Sequence, residues 1–163
     1  MDIYTTLEDK LWDIAFVAMR EFPEAPIVFS FENEGEEPAE SYVMINVLDM
    51  QQVGHSSTPS QLNQTNKMDM RTVYNTLVQF SFYGSKAGQY SHSFMNMLNS
   101  PFVLEEMSRR NLAVQTKTRM RRNPQKRETE WVNAFSFDVR FNYIINTPLD
   151  VDWVESIYKE HHW

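Results

Sequence analysis

The sequence predicts an α+β fold: a mainly antiparallel β-sheet with an N-terminal helix and a central helix pair packed on it, and a long C-terminal β-hairpin. Three observations predict it. Apolar residues recur at helical spacing near the N-terminus and again between residues 86 and 110. Long alternating runs rich in β-branched and aromatic residues occupy 68–83 and 112–145. Successive runs are joined by short turns rather than long crossovers, which favours antiparallel neighbours.

Thr6 and Asp9 resemble a capping pair, and Leu7, Leu11, Ile14, Ala15, Ala18 and Phe22 repeat at helical spacing until Pro23, predicting a helix over 5–21. Pro26 opens a β-branched and aromatic run, Ile27 to Phe31. The acidic stretch Glu32 to Glu40, with Gly35 and Pro38, reads as a solvated turn. Tyr42 to Met50 alternates and reads as a second strand, so the two runs are expected to form an antiparallel hairpin. Residues 51–67 are polar and without period, over a length beyond the roughly 12 to 15 residues of an ordinary loop. They are expected to be mobile in a free subunit and ordered against a partner.

Met68 to Tyr83 predicts a long strand, with Met70, Thr72, Tyr74, Thr76, Val78, Phe80 and Phe82 on one face. Gly84 breaks it, Ser85 is placed to cap, and Ala87, Tyr90, Phe94, Met97 and Leu98 mark a helix ending near Asn99. Ser100-Pro101 reads as a cap and a first-turn proline, with Arg109-Arg110 late, as a short third helix prefers. Leu112 to Met120 alternates, Arg122-Asn123-Pro124-Gln125 reads as a turn, and Trp131 to Ile145 alternates again, giving the long hairpin. Past Thr147-Pro148, Val151 to Tyr158 reads as one short last strand. No repeat of 20–50 residues is present.

At 163 residues and 19.3 kDa the chain is read as one domain, 1–163, and its 42% hydrophobic and 13% aromatic content can offset the entropy of folding. There are no cysteines, which removes disulfides, thiolate metal sites and a cysteine nucleophile together. No apolar run approaches the roughly 18 residues of a membrane helix, and the opening MDIYTTLEDK is acidic where a secretory signal is basic, so a cytoplasmic, membrane-free protein is expected. The net charge of −7 is unevenly spread: the first fifty residues hold twelve acidic and two basic side chains, whereas 109–127 hold eight basic and no acidic ones. Such polarity suits nucleic-acid binding, or a subunit one face of which meets the opposite face of another copy.

The four histidines, His55, His92, His161 and His162, lack the spacing of a metal pair, and the serines beside His55 and His92 lack the Gly-x-Ser-x-Gly setting of an activated nucleophile. With glycine only at 35, 54, 84 and 88, no phosphate-cradling loop can be written. The group Glu32, Glu34, Glu36, Glu37 and Glu40 lacks the alternating ligands of a calcium loop. No catalytic, metal or cofactor-binding residue is assigned, and the chain is not expected to be an enzyme. The strongest positive signal is the basic set Lys117, Arg119, Arg121, Arg122, Lys126 and Arg127 at the hairpin tip, with 117, 119 and 121 expected on one strand face. A protein interface, a solvated edge and nucleic-acid contact all remain open. Against the last stands the absence of interleaved aromatic residues before Trp131.

The run MRTVYNTLVQFSFYGSKAGQYSHSF, in which a long strand ending in Tyr-Gly enters a helix, is followed by LNSPFVLEEMSRRNLAVQ, a basic hairpin, EWVNAFSFDVRFNY and VDWVESIY. In this order the chain resembles the neck or tail terminator proteins of tailed bacteriophages, from about residue 68 onward. The resemblance implies a structural virion subunit of tail or neck, assembled in the host cytoplasm without a cofactor. It implies a homo-oligomeric ring, usually a hexamer, that closes the tail tube and joins it to the head-completion or neck connector protein. DNA then passes through the lumen unread. The basic set is expected at a protein interface of that ring. Another neck or tail-completion component, or a nucleic-acid-binding accessory protein, is the alternative.

Overall fold

The computed structural model describes residues 3–30, 40–57, 67–127 and 129–150. Leu7, Leu11, Ile14, Ala15 and Ala18 form one stripe of helix α1 (Ile3–Ala18) and are fully buried, as their spacing predicts. The helix already runs at Ile3, so Thr6 lies inside it instead of capping it. It ends before residue 21 in a turn, where the Phe22 N–H donates to the Met19 carbonyl at 2.9 Å.

Strands β1 (Ile27–Phe29), β2 (Tyr42–Ser57) and β3 (Lys67–Tyr83) come next, then helices α2 (Ala87–Met97) and α3 (Pro101–Arg109). The rest is β4 (Leu112–Lys117), β5 (Arg121–Arg122), β6 (Gln125–Arg127), β7 (Glu130–Val132) and β8 (Ala134–Asp150). The main sheet has the order β1-β2-β3-β8-β4, with β5 also on β8, and β6-β7 form a separate ribbon. All pairs are antiparallel except β1-β2. The fold is α+β, as predicted.

Its core is aromatic. Phe94 of α2 seats between β3 and β8, with ring centroids 4.8 Å from Phe80, 5.3 Å from Phe82 and 5.9 Å from Phe137. Thr72, Thr76, Val78, Phe80 and Phe82 are buried on one side of β3, and Phe137, Val139, Phe141 and Tyr143 on the same side of β8. The opposite side of the sheet is polar at its middle, with Arg140 Nη1 donating to Asn75 Oδ1 at 2.7 Å and Asn75 Nδ2 to Asn142 Oδ1 at 3.3 Å, and carries a small buried cluster of Tyr42, Tyr83 and Ala134 at one end. Helices cover one face and leave a partly polar one opposite, an arrangement antiparallel sheets tolerate. At the head of α3, Ser100 Oγ accepts from the Val103 N–H at 3.3 Å and Pro101 occupies the first turn, as read from the sequence.

Five expectations are corrected. β1 and β2 pair in parallel, Ile27 opposite Val43 and Phe29 opposite Ile45, in place of an antiparallel hairpin. The segment between them has about the dozen residues a parallel return needs. Residues 51–57 are not irregular. They continue β2, with Gln51 opposite Asn75 and Val53 opposite Val73, because β3 supplies ladder partners that polar side chains do not preclude. β8 runs through Pro148 to Asp150, and β4 covers it only from Val139 to Tyr143, so among the described residues the proline sits where β8 is an edge on one side. The hairpin turn is not at 122–125: β5 lies on β8, and β6 pairs onward with β7, Gln125 opposite Val132. Ser85 does not cap α2, whose N-cap is Lys86 and which has no side-chain cap hydrogen bond; Ser41 Oγ instead accepts from the Lys86 N–H at 3.0 Å and so holds the head of the helix. The strand read at 151–158 lies outside the described residues.

Burial pushes the Tyr143 hydroxyl above its usual pKa, and burial with the nearby Glu24 carboxylate does the same to Tyr90. The neutral phenol is therefore favoured in the folded state. Stability from this group is fully present below about pH 10 and is lost as pH rises through the higher folded-state value. Lys10, whose ammonium lies 4.9 Å from the Tyr143 ring centroid, is lowered by burial and then by Arg110, and works in the opposite direction. Tyr143→Phe is expected to remove part of the alkaline loss, read as the change in urea midpoint between about pH 8 and about pH 11. An identical alkaline loss in the variant contradicts the assignment.

Candidate functional site

The basic set does not lie on one uninterrupted strand face. β4 ends at Lys117, opposite Val139, and β5 resumes at Arg121, opposite Ser136, so Thr118 to Met120 leave the ladder between them. Thr118 anchors that excursion: its N–H donates to the Asp138 carbonyl and its Oγ1 accepts from the Asp138 N–H, each at 2.9 Å.

The fold uses half of the set internally. Lys117 Nζ donates to Asn99 Oδ1 at 3.3 Å, and Arg121 Nη2 pairs with Asp138 Oδ1 at 3.1 Å. Arg122 Nη2 donates to Asn133 Oδ1 at 3.0 Å, and its guanidinium lies 5.9 Å from the Phe135 ring centroid. Arg119 and Lys126 are exposed, and neither side chain has a hydrogen-bond or ion-pair partner among the described residues. The Arg127 side chain lies outside them. What the structure gathers is thus a basic edge with two cations left over, continued by the β6-β7 ribbon. On that ribbon Trp131 stands opposite Lys126 and is 70% exposed.

A second surface was not anticipated. Trp12 and Phe16 lie off the buried stripe of α1 and stack on each other with ring centroids 5.4 Å apart. Phe16 and Phe102, each 53% exposed, flank a groove between α1 and α3 with a cavity of about 340 Å³, lined also by Val17, Arg20, Pro23, Glu105 and Glu106. The Arg20 guanidinium lies over the Phe102 ring at 4.4 Å. On the rim Arg109 pairs with Glu105 at 2.6 Å and Glu106 at 3.3 Å, and Arg110 pairs with Glu106 and with Asp13. A helical wheel carries the signal for this groove, since Trp12 and Phe16 are four residues apart on the face a solvated helix reserves for polar groups.

The other candidate groups stay apart. His92 Nε2 is 3.2 Å from Asn96 Nδ2 on the exposed side of α2, and His55 is exposed on β2. His161, His162 and Glu32 to Glu37 lie outside the described residues, and Glu40 is exposed. Among the described residues no three His, Asp or Glu side chains gather as a metal site, and no helix is long and apolar enough to cross a membrane.

A family model described as phage neck terminator protein matches residues 2–162 of this chain. The comparison with curated proteins finds no match. Among solved structures, the sheath/tube terminator of an extracellular contractile injection system, PVC, in its extended state is similar at 11% identity and a TM-score of 0.48. That alignment covers 92% of this chain and 59% of the other, so this chain spans about three-fifths of that protein's length.

Proposed function

Because the chain belongs to the phage neck terminator protein family, we propose that it is a structural, non-enzymatic subunit of a tailed-bacteriophage virion that caps the tail tube and joins it to the head or neck connector. The subunit acts as one domain in a closed ring, of which the hexamer is the expected size. It assembles in the host cytoplasm, and DNA passes through the lumen. The family match across nearly the whole length carries this reading. Three features of the molecule support it: unevenly distributed charge, a basic edge with two cations unpaired among the described residues, and exposed aromatic side chains on two separate surfaces. Contacts between unlike faces close into rings when the rotation permits. The basic edge, Lys117, Arg119, Arg121, Arg122, Lys126 and Arg127, is assigned to the ring or connector interface.

The test is the mass of the assembled species. Light scattering of the purified chain, alone and with tail tubes of the same virus, is expected to return a closed multiple of the subunit mass in at least the second condition. A strict monomer in both contradicts the ring.

A further inference from the structure

We propose that Trp131, on the β6-β7 ribbon of one subunit, seats in the α1/α3 groove of the next copy, between Phe16 and Phe102. The proposal rests on the ring reading above and specifies its contact. Among the described residues, both halves of such a contact stand open. Trp131 is 70% exposed, Phe16 and Phe102 are each 53% exposed, and no residue of β6 or β7 lines the groove. The cavity of about 340 Å³ is at the small end for a ligand site and suits a single large side chain. Phe16, Val17, Pro23 and Phe102 give it apolar surface and Arg20, Glu105 and Glu106 give it polar groups, which together suit an indole ring and its N–H.

Charge selects the partner. Residues 13–24, on the groove side, hold three carboxylates against one guanidinium, and the two carboxylates of α3 are balanced by Arg109 and Arg110. Residues 117–132, on the ribbon side, hold six cations against two carboxylates. The groove face is net acidic, and the ribbon, itself balanced by two cations and two carboxylates, continues the net basic edge of 117–122, so the ribbon and edge of one copy are attracted to another's groove, while edge repels edge. A knob and a hole at different places on one chain make a head-to-tail contact.

The chain has no cysteine, so the full-length Glu130→Cys/Glu105→Cys variant, which keeps Trp131 and Phe102, carries only two thiols, one beside each half of the contact. Treated with a short bis-maleimide after assembly, it is expected to run as a ladder of covalent multimers ending at the closed ring. An equimolar mixture of the two single variants stops at the covalent dimer. Trp131→Ala and Phe102→Ala, both at exposed positions, are each expected to weaken self-association about thirtyfold, the loss typical of a buried aromatic anchor, without moving thermal unfolding. No ladder, or alanine variants that assemble like the parent, overturns the contact while a ring-forming parent keeps the ring. Efficient dimers from Glu130→Cys alone overturn it in favour of ribbon-to-ribbon pairing. Alanine variants that form rings but no longer retain tail tubes overturn it by giving the groove to the tube protein. A parent that stays monomeric with and without tubes removes the ring, and this contact with it.

Discussion

Gly84→Ala is expected to cost about 4 kcal/mol or more of folding stability, close to the whole margin of a marginal domain. Gly84 has a φ of +103°, a conformation side-chain-bearing residues rarely adopt, and a Cβ there would stand 1.9 Å from the Glu40 carbonyl oxygen and 2.6 Å from Ser41 Cα. The backbone is tied on both sides. The Gly84 N–H donates to the Asn133 carbonyl at 3.0 Å, and its own carbonyl accepts from the Ala87 N–H at 3.1 Å. Ser41 cannot yield, because its Oγ serves the Lys86 N–H at the head of α2. Strain, overlap and a disturbed Ser41–Lys86 hydrogen bond therefore fall on one junction, the one that turns β3 into the helix carrying Phe94. Gly54→Ala is the control. Its φ is +68°, but nothing lies within 4 Å of its Cβ, so only about 1 kcal/mol of conformational cost is expected. Urea unfolding of both variants decides the matter, and a Gly84→Ala loss no larger than that of Gly54→Ala contradicts the close-approach account.

The parts of this fold that were legible in the sequence are those decided by neighbours in the chain. The α1 stripe, the buried face of β3 and the Ser100-Pro101 start of α3 all follow from periodicity or capping within a few residues. The parts that were not legible are decided by distant partners. Ser41 holds the head of α2 from 45 residues away, β1 chooses a parallel register on β2, and Gln51 and Gln52 become strand because Asn75 and Tyr74 lie opposite. Pro148 continues a strand because β4 stops short of it. The same division runs through the candidate site. The basic set was visible as composition. That Asn99, Asp138 and Asn133 occupy Lys117, Arg121 and Arg122 was not, because those acceptors come from another turn and from the far strand. The α1/α3 groove was hidden for a related reason: reading a helix for its buried stripe passes over apolar residues on the other side.

That occupancy makes charge reversal at the tip decisive. Arg119→Glu with Lys126→Glu is expected to weaken ring assembly about a hundredfold or more at low salt, because like charge opposed across an interface adds a penalty to the lost attraction. The isolated fold should shift by no more than a few tenths of a kcal/mol, since neither side chain has a partner among the described residues. Arg121→Glu is the contrast: it sets a carboxylate beside Asp138, 3.1 Å from the former guanidinium, and so strains the subunit itself. Restoring opposite charge on the acidic side, with Glu21→Lys and Glu24→Lys, is expected to recover assembly in the reversed background. Contact with DNA predicts another pattern, with rings intact and the slope of log affinity against log salt reduced by about one per lost phosphate contact. Solvated side chains predict that neither assay moves. Assembly of the double glutamate variant at parental affinity ends the interface reading of the basic edge while the ring reading stands.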